Sequence, residues 1–345
     1  MAPPTYLAPS TFMAAPTTFG LSPATYVGAN WGAPVTAKVG VLFDFDGTLG
    51  DTETPAMEVA YWELAPFIHN VPAEKLEDEK VSFIQNNAGR AFEHMIENLD
   101  EARAKDGLPG VEEARQSDVN EAALRVINEA RARFGLPGVQ EASGSYPSLL
   151  VQQKEETVTA LGKCAQPNPG VIDMLKELKS LGVPFNIATT SGKPRVPVCV
   201  DACEMREFFP TDDHIHSGES DFTPSRFKPD PDVYLKAAAA ERLPPQWCIA
   251  VEDSASGVGS AANAKIGLIV GYVGASHIPV EKKQSHAEML MQGTKAKDGR
   301  GAEIVISDMM DLPSIVKAFQ VATANGTKIT FPSDLQGSIY LPPSK

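Results

Sequence analysis

Two carboxylates, Asp44 and Asp46, close the apolar run Val41-Leu42-Phe43, and Gly47 and Thr48 follow them. Side chains two apart on a strand point to the same face, so a strand ending here delivers both acids to one spot. Neighbouring carboxylates raise each other's pKa unless a cation neutralises them. The pair therefore fits either a divalent metal or a split of roles, one acid ionised and one protonated. Gly47 allows a sharp turn, and Thr48 adds a hydroxyl and an amide that can hold an anion. Further along lie a hydroxyl pair, Thr190-Ser191, a lysine in Arg226-Phe227-Lys228-Pro229-Asp230-Pro231, and a second acid pair, Glu252-Asp253. These types suit phosphoryl transfer. A carboxylate can act as nucleophile, magnesium takes oxygen ligands, and a lysine with a hydroxyl can cradle phosphoryl oxygens.

Such groups need a scaffold that brings distant segments to one rim. Lys38 to Phe43 reads as a first strand, Val183 to Ala188 as another, then Trp247 to Val251, Gly267 to Val273 and Glu303 to Ile306. Helical patterns separate them at Val171–Leu181, Pro194–Phe208, Pro231–Glu241 and Ser256–Ala264. Strands alternating with helices imply an α/β fold with a doubly wound parallel sheet. Ligands of such sheets sit outside the carboxyl ends of the strands, where these groups fall. From Thr54 to about Cys164 the periodicity is helical without a convincing strand.

The expected organisation is a tail at 1–37, a core from 38–54 and 165–320, an all-helical insertion at 55–164, and a C-terminal tail at 321–345. Within the insertion, residues 101–114 are echoed by 129–142, 28 residues later, each copy breaking at Gly-Leu-Pro-Gly. Two copies are too few for a solenoid and read as a local duplication without chemistry of its own.

With 345 residues the chain can bury a large core. Its net charge of −14 argues against non-specific nucleic-acid binding. No run of about 18 apolar residues suggests a membrane helix. Cys164, Cys199, Cys203 and Cys248 show no metal-type spacing and fit a reducing compartment. Residues 1–37 carry no acid and no base, and so lack the arginines of organelle transit peptides. The expected setting is cytoplasmic, with organelle targeting left open.

Taken together, Asp44-Phe45-Asp46-Gly47-Thr48, Thr190-Ser191, Lys228-Pro229-Asp230-Pro231 and Glu252-Asp253-Ser254 with Gly257 resemble the four motifs of the haloacid dehalogenase superfamily, in order. The resemblance spans roughly residues 38 to 320 and is to phosphohydrolases whose helical cap follows the first strand. It implies that Asp44 is the phosphorylated nucleophile and Asp46 the acid and then base. It implies a magnesium ion held by Asp44, the Asp46 carbonyl and Asp253, with Glu252 in support. Thr190 and Lys228 would bind the phosphoryl group, with Gly47, Thr48 and Ser191 beside it and cap residues Arg90 and His94 as specificity candidates. Dehalogenases of similar pattern lack the second acid of the first motif, and phosphonate-cleaving relatives use a cap lysine that Thr52 to Val59 does not supply. Sugar-phosphate mutases keep a histidine where this chain has Ala56, which favours hydrolysis. The implied substrate is a small phosphorylated metabolite, a sugar or sugar-acid phosphate, and the implied state is a monomer or weak homodimer. The alternatives are a mutase and a catalytically weak binding protein that keeps the fold.

Overall fold

A computed structural model describes residues 37–69, 71–87, 91–115, 120 and 122–342. In chain order the elements are β1 Gly40–Phe43, β2 Gly50–Asp51, α1 Glu53–Leu64, α2 Leu76–Asn87, α3 Phe92–Lys105, α4 Val111–Ala114, α5 Leu124–Arg133, α6 Val139–Ser145 and α7 Leu149–Cys164. There follow β3 Gln166–Pro167, α8 Val171–Ser180, β4 Phe185–Thr189, α9 Arg195–Ala202, β5 Ile215–Ser217, α10 Asp232–Ala240, β6 Cys248–Glu252 and α11 Ala255–Asn263. The chain ends with β7 Leu268–Tyr272, α12 Lys283–Gln292, β8 Ile304–Ile306, α13 Leu312–Asn325 and β9 Ile339–Tyr340.

Seven strands form one sheet in the order β5-β4-β1-β6-β7-β8-β9, parallel except for the β8–β9 pair. The six parallel strands are buried on both faces, as an α/β sheet covered by helices requires, and β9 is half-buried at the edge. β1 pairs with β4 on one side and β6 on the other, so the winding reverses at β1. That reversal opens a crevice at the carboxyl end of β1, where Asp44 follows. The helices on this sheet form for readable reasons. On α8, Val171, Met174, Leu175 and Leu178 recur at helical spacing and are buried, and Gly182 takes φ +66° just beyond. Ser254 caps α11 by accepting from the Gly257 N–H at 3.1 Å.

Helices α1 to α7 all lie between β2 and β3, the expected helical stretch. β2 and β3 pair antiparallel, Gly50 with Pro167 and Asp51 with Gln166, so the chain enters and leaves the helices at one point. The duplicated segment repeats in three dimensions. Arg103 Nε donates to the Pro109 carbonyl at 2.7 Å and Arg131 Nε to the Pro137 carbonyl at 2.9 Å. Val111 N–H donates to Asp100 at 2.7 Å, and Val139 N–H to Asn128 at 2.9 Å. Each arginine thus ties down its own Gly-Leu-Pro-Gly turn, and each Asp or Asn satisfies the first amide of the next helix.

A buried polar network crosses these helices. Arg131 pairs with Glu156 at 2.6 Å, and Gln152 donates to the same carboxylate at 3.2 Å. Glu63 is buried beside them, with neither carboxyl oxygen partnered among the described residues. Burial, and then the Glu156 charge, hold the Glu63 carboxyl well above the usual range. A raised folded pKa binds a proton that the unfolded chain releases. Its stabilisation is complete below about pH 4.5 and is lost as pH rises through the folded value. Glu63→Gln mimics the protonated acid. It should leave the melting temperature unchanged near pH 4.5 and raise it at pH 8 by about 2 °C or more in a calorimetric pH series.

The stretch after Ala322, expected to be a polar tail, instead builds onto the core. α13 runs on to Asn325, and Ile329, Phe331, Leu335, Ile339 and Tyr340 pack against the main cluster. Asp311, 3% exposed, accepts the Gln336 and Gly337 amides at 2.6 and 2.8 Å, and so fixes the approach of β9 to β8. Among the described residues no helix is long and apolar enough to cross a membrane.

Candidate active site

Asp44 is the first residue past β1, its backbone N–H donating to the Val251 carbonyl of β6 at 3.0 Å. Glu252 ends β6 and Asp253 follows it, so three carboxylates meet where two adjacent strands stop. Their oxygens lie within 4.8 Å of one another, and all three residues are buried. Lys228, from the loop between β5 and α10, reaches in to Asp44 Oδ1 at 2.5 Å and Glu252 Oε1 at 2.6 Å. Tyr234 of α10 donates its hydroxyl to the same Glu252 oxygen at 2.5 Å. Two glycines make the room. A Cβ on Gly257 would fall 1.7 Å from Glu252 Oε2, and one on Gly47, at φ +77°, would fall 2.2 Å from Asp253 Oδ2.

The electrostatics follow from burial. Desolvation pushes Asp44 up to about 8, with Lys228 pulling down and Glu252 and Asp46 pushing up. Asp253 is raised well above its ordinary value by burial, then by Asp44 and Glu252. Burial lowers the Lys228 ammonium, but Asp44 and Glu252 more than offset it and hold it protonated. Three buried acids around one lysine leave negative charge in excess, and a divalent cation would relieve it. The donor set fits magnesium, being all oxygen. Glu252 Oε1 is already taken by Lys228 and Tyr234, whereas Asp44 Oδ2 carries no hydrogen bond among the described residues. Asp44 and Asp253 are therefore the direct candidates, with Glu252 behind them.

Asp46 lies two residues beyond Asp44, in the turn that its bridge to Gly50 closes. Its Oδ1 accepts from Thr52 Oγ1 at 2.6 Å and Arg195 Nη2 at 2.7 Å, and its Oδ2 from Ser191 Oγ at 2.6 Å. Burial pushes this carboxyl up, but Arg195, Ser191 and Thr52 outweigh it and hold Asp46 below the usual carboxylate range. Thr48 donates to Asp253 Oδ1 at 3.2 Å, tying the first turn to the β6 end. Asn168 donates from Nδ2 to the Gly47 and Thr48 carbonyls at 3.1 and 3.0 Å.

The structure brings Asp44, Asp46, Gly47, Thr48, Ser191, Lys228, Glu252 and Asp253 together. Thr190 is half-buried and makes no side-chain hydrogen bond among the described residues; β4 extends one residue further than expected, to Thr189. It is the Thr189 hydroxyl that accepts from the Ser191 amide, at 3.1 Å, and the Ser191 hydroxyl that touches Asp46. His94 lies exposed on α3 with Nδ1 at 2.8 Å from Glu97. Arg90 lies outside the described residues.

Sequence reasoning passed over Arg195, Thr52, Asn168 and Tyr234, and also two histidines. His286 donates from Nε2 to the Asp253 carbonyl at 2.6 Å, and His277 Nε2 stands 3.5 Å from Asp253 Oδ2. A signal existed for Arg195. It opens the helix after a strand, where a cation opposes the helix dipole and so calls for a nearby anion.

A family model described as haloacid dehalogenase-like hydrolase matches residues 39–265. A probable pseudouridine-5'-phosphatase of Drosophila melanogaster is 33% identical over 121 residues, 34% of this chain and 52% of that protein. Hexitol phosphatase A of Escherichia coli is 33% identical over 105 residues, 30% of this chain and 41% of that protein. The chain spans about half the length of these curated relatives or less. A solved haloacid dehalogenase-like protein of unknown function from Agrobacterium tumefaciens shares the fold at TM-score 0.53 and 24% identity, covering 81% of this chain and 98% of that one.

Proposed function

We propose that this chain, which belongs to the haloacid dehalogenase-like hydrolases, is a magnesium-dependent phosphatase that forms a phosphorylated Asp44. One observation carries the reading: Asp44, Glu252 and Asp253 converge with Lys228 in a buried cluster at the reversal point of the sheet. Carboxylates so placed, with one oxygen of Asp44 unengaged, are costly to keep unless they do chemistry or hold a cation.

In this reading Lys228 holds Asp44 Oδ1, so Oδ2 attacks phosphorus while the ester P–O bond breaks. Asp46, held ionised by Arg195, Ser191 and Thr52 before substrate binds, first takes a proton from solvent and then gives it to the departing alkoxide oxygen as that bond breaks. Asp46 then takes a proton from water, whose oxygen attacks phosphorus, and the bond to Asp44 breaks to release inorganic phosphate. Tyr234 and Lys228 fix Glu252, and Thr48 fixes Asp253. Magnesium, held by Asp44, Asp253 and the Asp46 carbonyl, would neutralise charge on the transferring group. The helices at 55–164 would serve as the cap over the core at 38–54 and 165–320.

The substrate class we favour is a sugar or sugar-acid phosphate, supported by the name of the hexitol phosphatase relative. Ala56, where mutases keep a histidine, supports hydrolysis over mutation. The test is release of inorganic phosphate from a panel of monoesters, with magnesium and with a chelator. Turnover of sugar phosphates that stops on chelation and returns with magnesium is the expected result. Conversion of a hexose 1-phosphate to its 6-phosphate without phosphate release would make the protein a mutase.

A further inference from the structure

We propose that Arg195 is a positioning residue that aims Asp46 for proton transfer, an inference that rests on the phosphatase reading. Asp46 is held from three separate elements. Thr52 stands just before α1, Ser191 lies in the loop after β4, and Arg195 opens α9, 149 residues away along the chain. An ionised carboxylate offers about four acceptor sites. Thr52 and Arg195 take both on Oδ1, and Ser191 takes one on Oδ2, among the described residues. A single site remains, on Oδ2.

Proton exchange must therefore run through that site: a proton taken up there from solvent passes to the departing ester oxygen, and the emptied site then takes one from the attacking water. Without Arg195, Oδ1 regains a free site and loses its one charged anchor, so the carboxyl can turn about its Cβ–Cγ bond. All three bonds end on a charged carboxylate, but only the guanidinium adds the attraction of a full opposite charge, at 2.7 Å, which makes Arg195 the strongest restraint of the three. Its location supports this role. The first turn of a helix is an unfavourable place for a cation, and Arg195 Nε is buried without a partner of its own. The guanidinium keeps that position for its bond to Asp46.

The test compares wild type, Arg195→Met and Arg195→Lys on two probes, p-nitrophenyl phosphate and an alkyl phosphate that the wild type hydrolyses. The phenolate departs without a proton, whereas the alkoxide needs one. Arg195→Met should lose roughly 10²-fold in kcat on the alkyl ester with KM little changed. On the aryl ester it should still give a burst of p-nitrophenolate and accumulate phosphoenzyme, because water activation also depends on Asp46. Arg195→Lys should recover part of both losses. Equal losses on both esters without phosphoenzyme, a rise in KM alone, or unchanged kinetics would each overturn the proposal. Should Arg195→Met fail to fold by circular dichroism, Ser191→Ala must show the same pattern at smaller size, and unchanged kinetics there would overturn it equally. Wild type inert toward every ester would remove the phosphatase reading, and this inference with it. Wild-type turnover with unaltered variants would remove this inference alone.

Discussion

Asp44→Asn should lower phosphate release by roughly 10⁴-fold or more while leaving the fold intact. The amide keeps the shape of the carboxylate but cannot attack phosphorus, so the loss should appear in kcat. The substitution also takes one negative charge from a cluster that burial and like charges already strain, since Glu252 and Asp253 lie against Asp44. Lys228 would keep Glu252 as its ion-pair partner at 2.6 Å. The variant should therefore melt no lower than wild type in the absence of magnesium. Loss of activity with retained or raised stability is the signature of a residue kept for chemistry. Steady-state kinetics beside differential scanning calorimetry reads both quantities.

Lys228→Met should do the opposite to stability. The lysine side chain is 2% exposed and is the only cation touching Asp44 and Glu252 among the described residues. Removing one member of a buried ion pair typically costs about 3–5 kcal/mol, because the other is left uncompensated. The pH dependence has a definite sign. Asp44 is already raised to about 8, and Lys228 acts to lower it, so the variant's value lies higher still. Stability conferred by a raised acid is full below its unfolded value and is lost as pH rises through the folded one. The deficit relative to wild type should thus widen as pH rises through about 8, from pH 7 to pH 10, in denaturant titrations. A deficit that is constant across this range would mean that the lysine acts by packing alone. Activity should fall as well, since Asp44 Oδ1 loses the bond that orients the nucleophile.

The parts of the site that could be read in the sequence are those that end strands. Asp44 follows Val41-Leu42-Phe43, and Glu252 closes a buried five-residue strand, so the apolar run announced where each acid would emerge. Lys228 was legible by its setting between two such ends. What escaped were groups whose partners are remote. Asn168 and Tyr234 act on residues 121 and 18 positions away, and no local pattern encodes such pairings. Strand ends illustrate a second limit, because β4 runs to Thr189, one residue past the expected end.

In the fold, β5 and β9 have three and two residues, too short for an alternating pattern to show. α12 buries only Ala287 and Leu290, so its periodicity was weak. α13 is different. Leu312, Ile315, Val316 and Phe319 recur at helical spacing and are buried, so that signal was present and simply ran past the last strand.

The most direct measurement is to quench the protein in acid during turnover of a sugar phosphate and map phosphorylation by mass spectrometry. One phosphoryl group on the peptide that contains Asp44, absent from Asp44→Asn, is the expected result. Sustained turnover by Asp44→Asn, with no phosphoryl group on that peptide in wild type, would contradict the assignment of Asp44 as nucleophile.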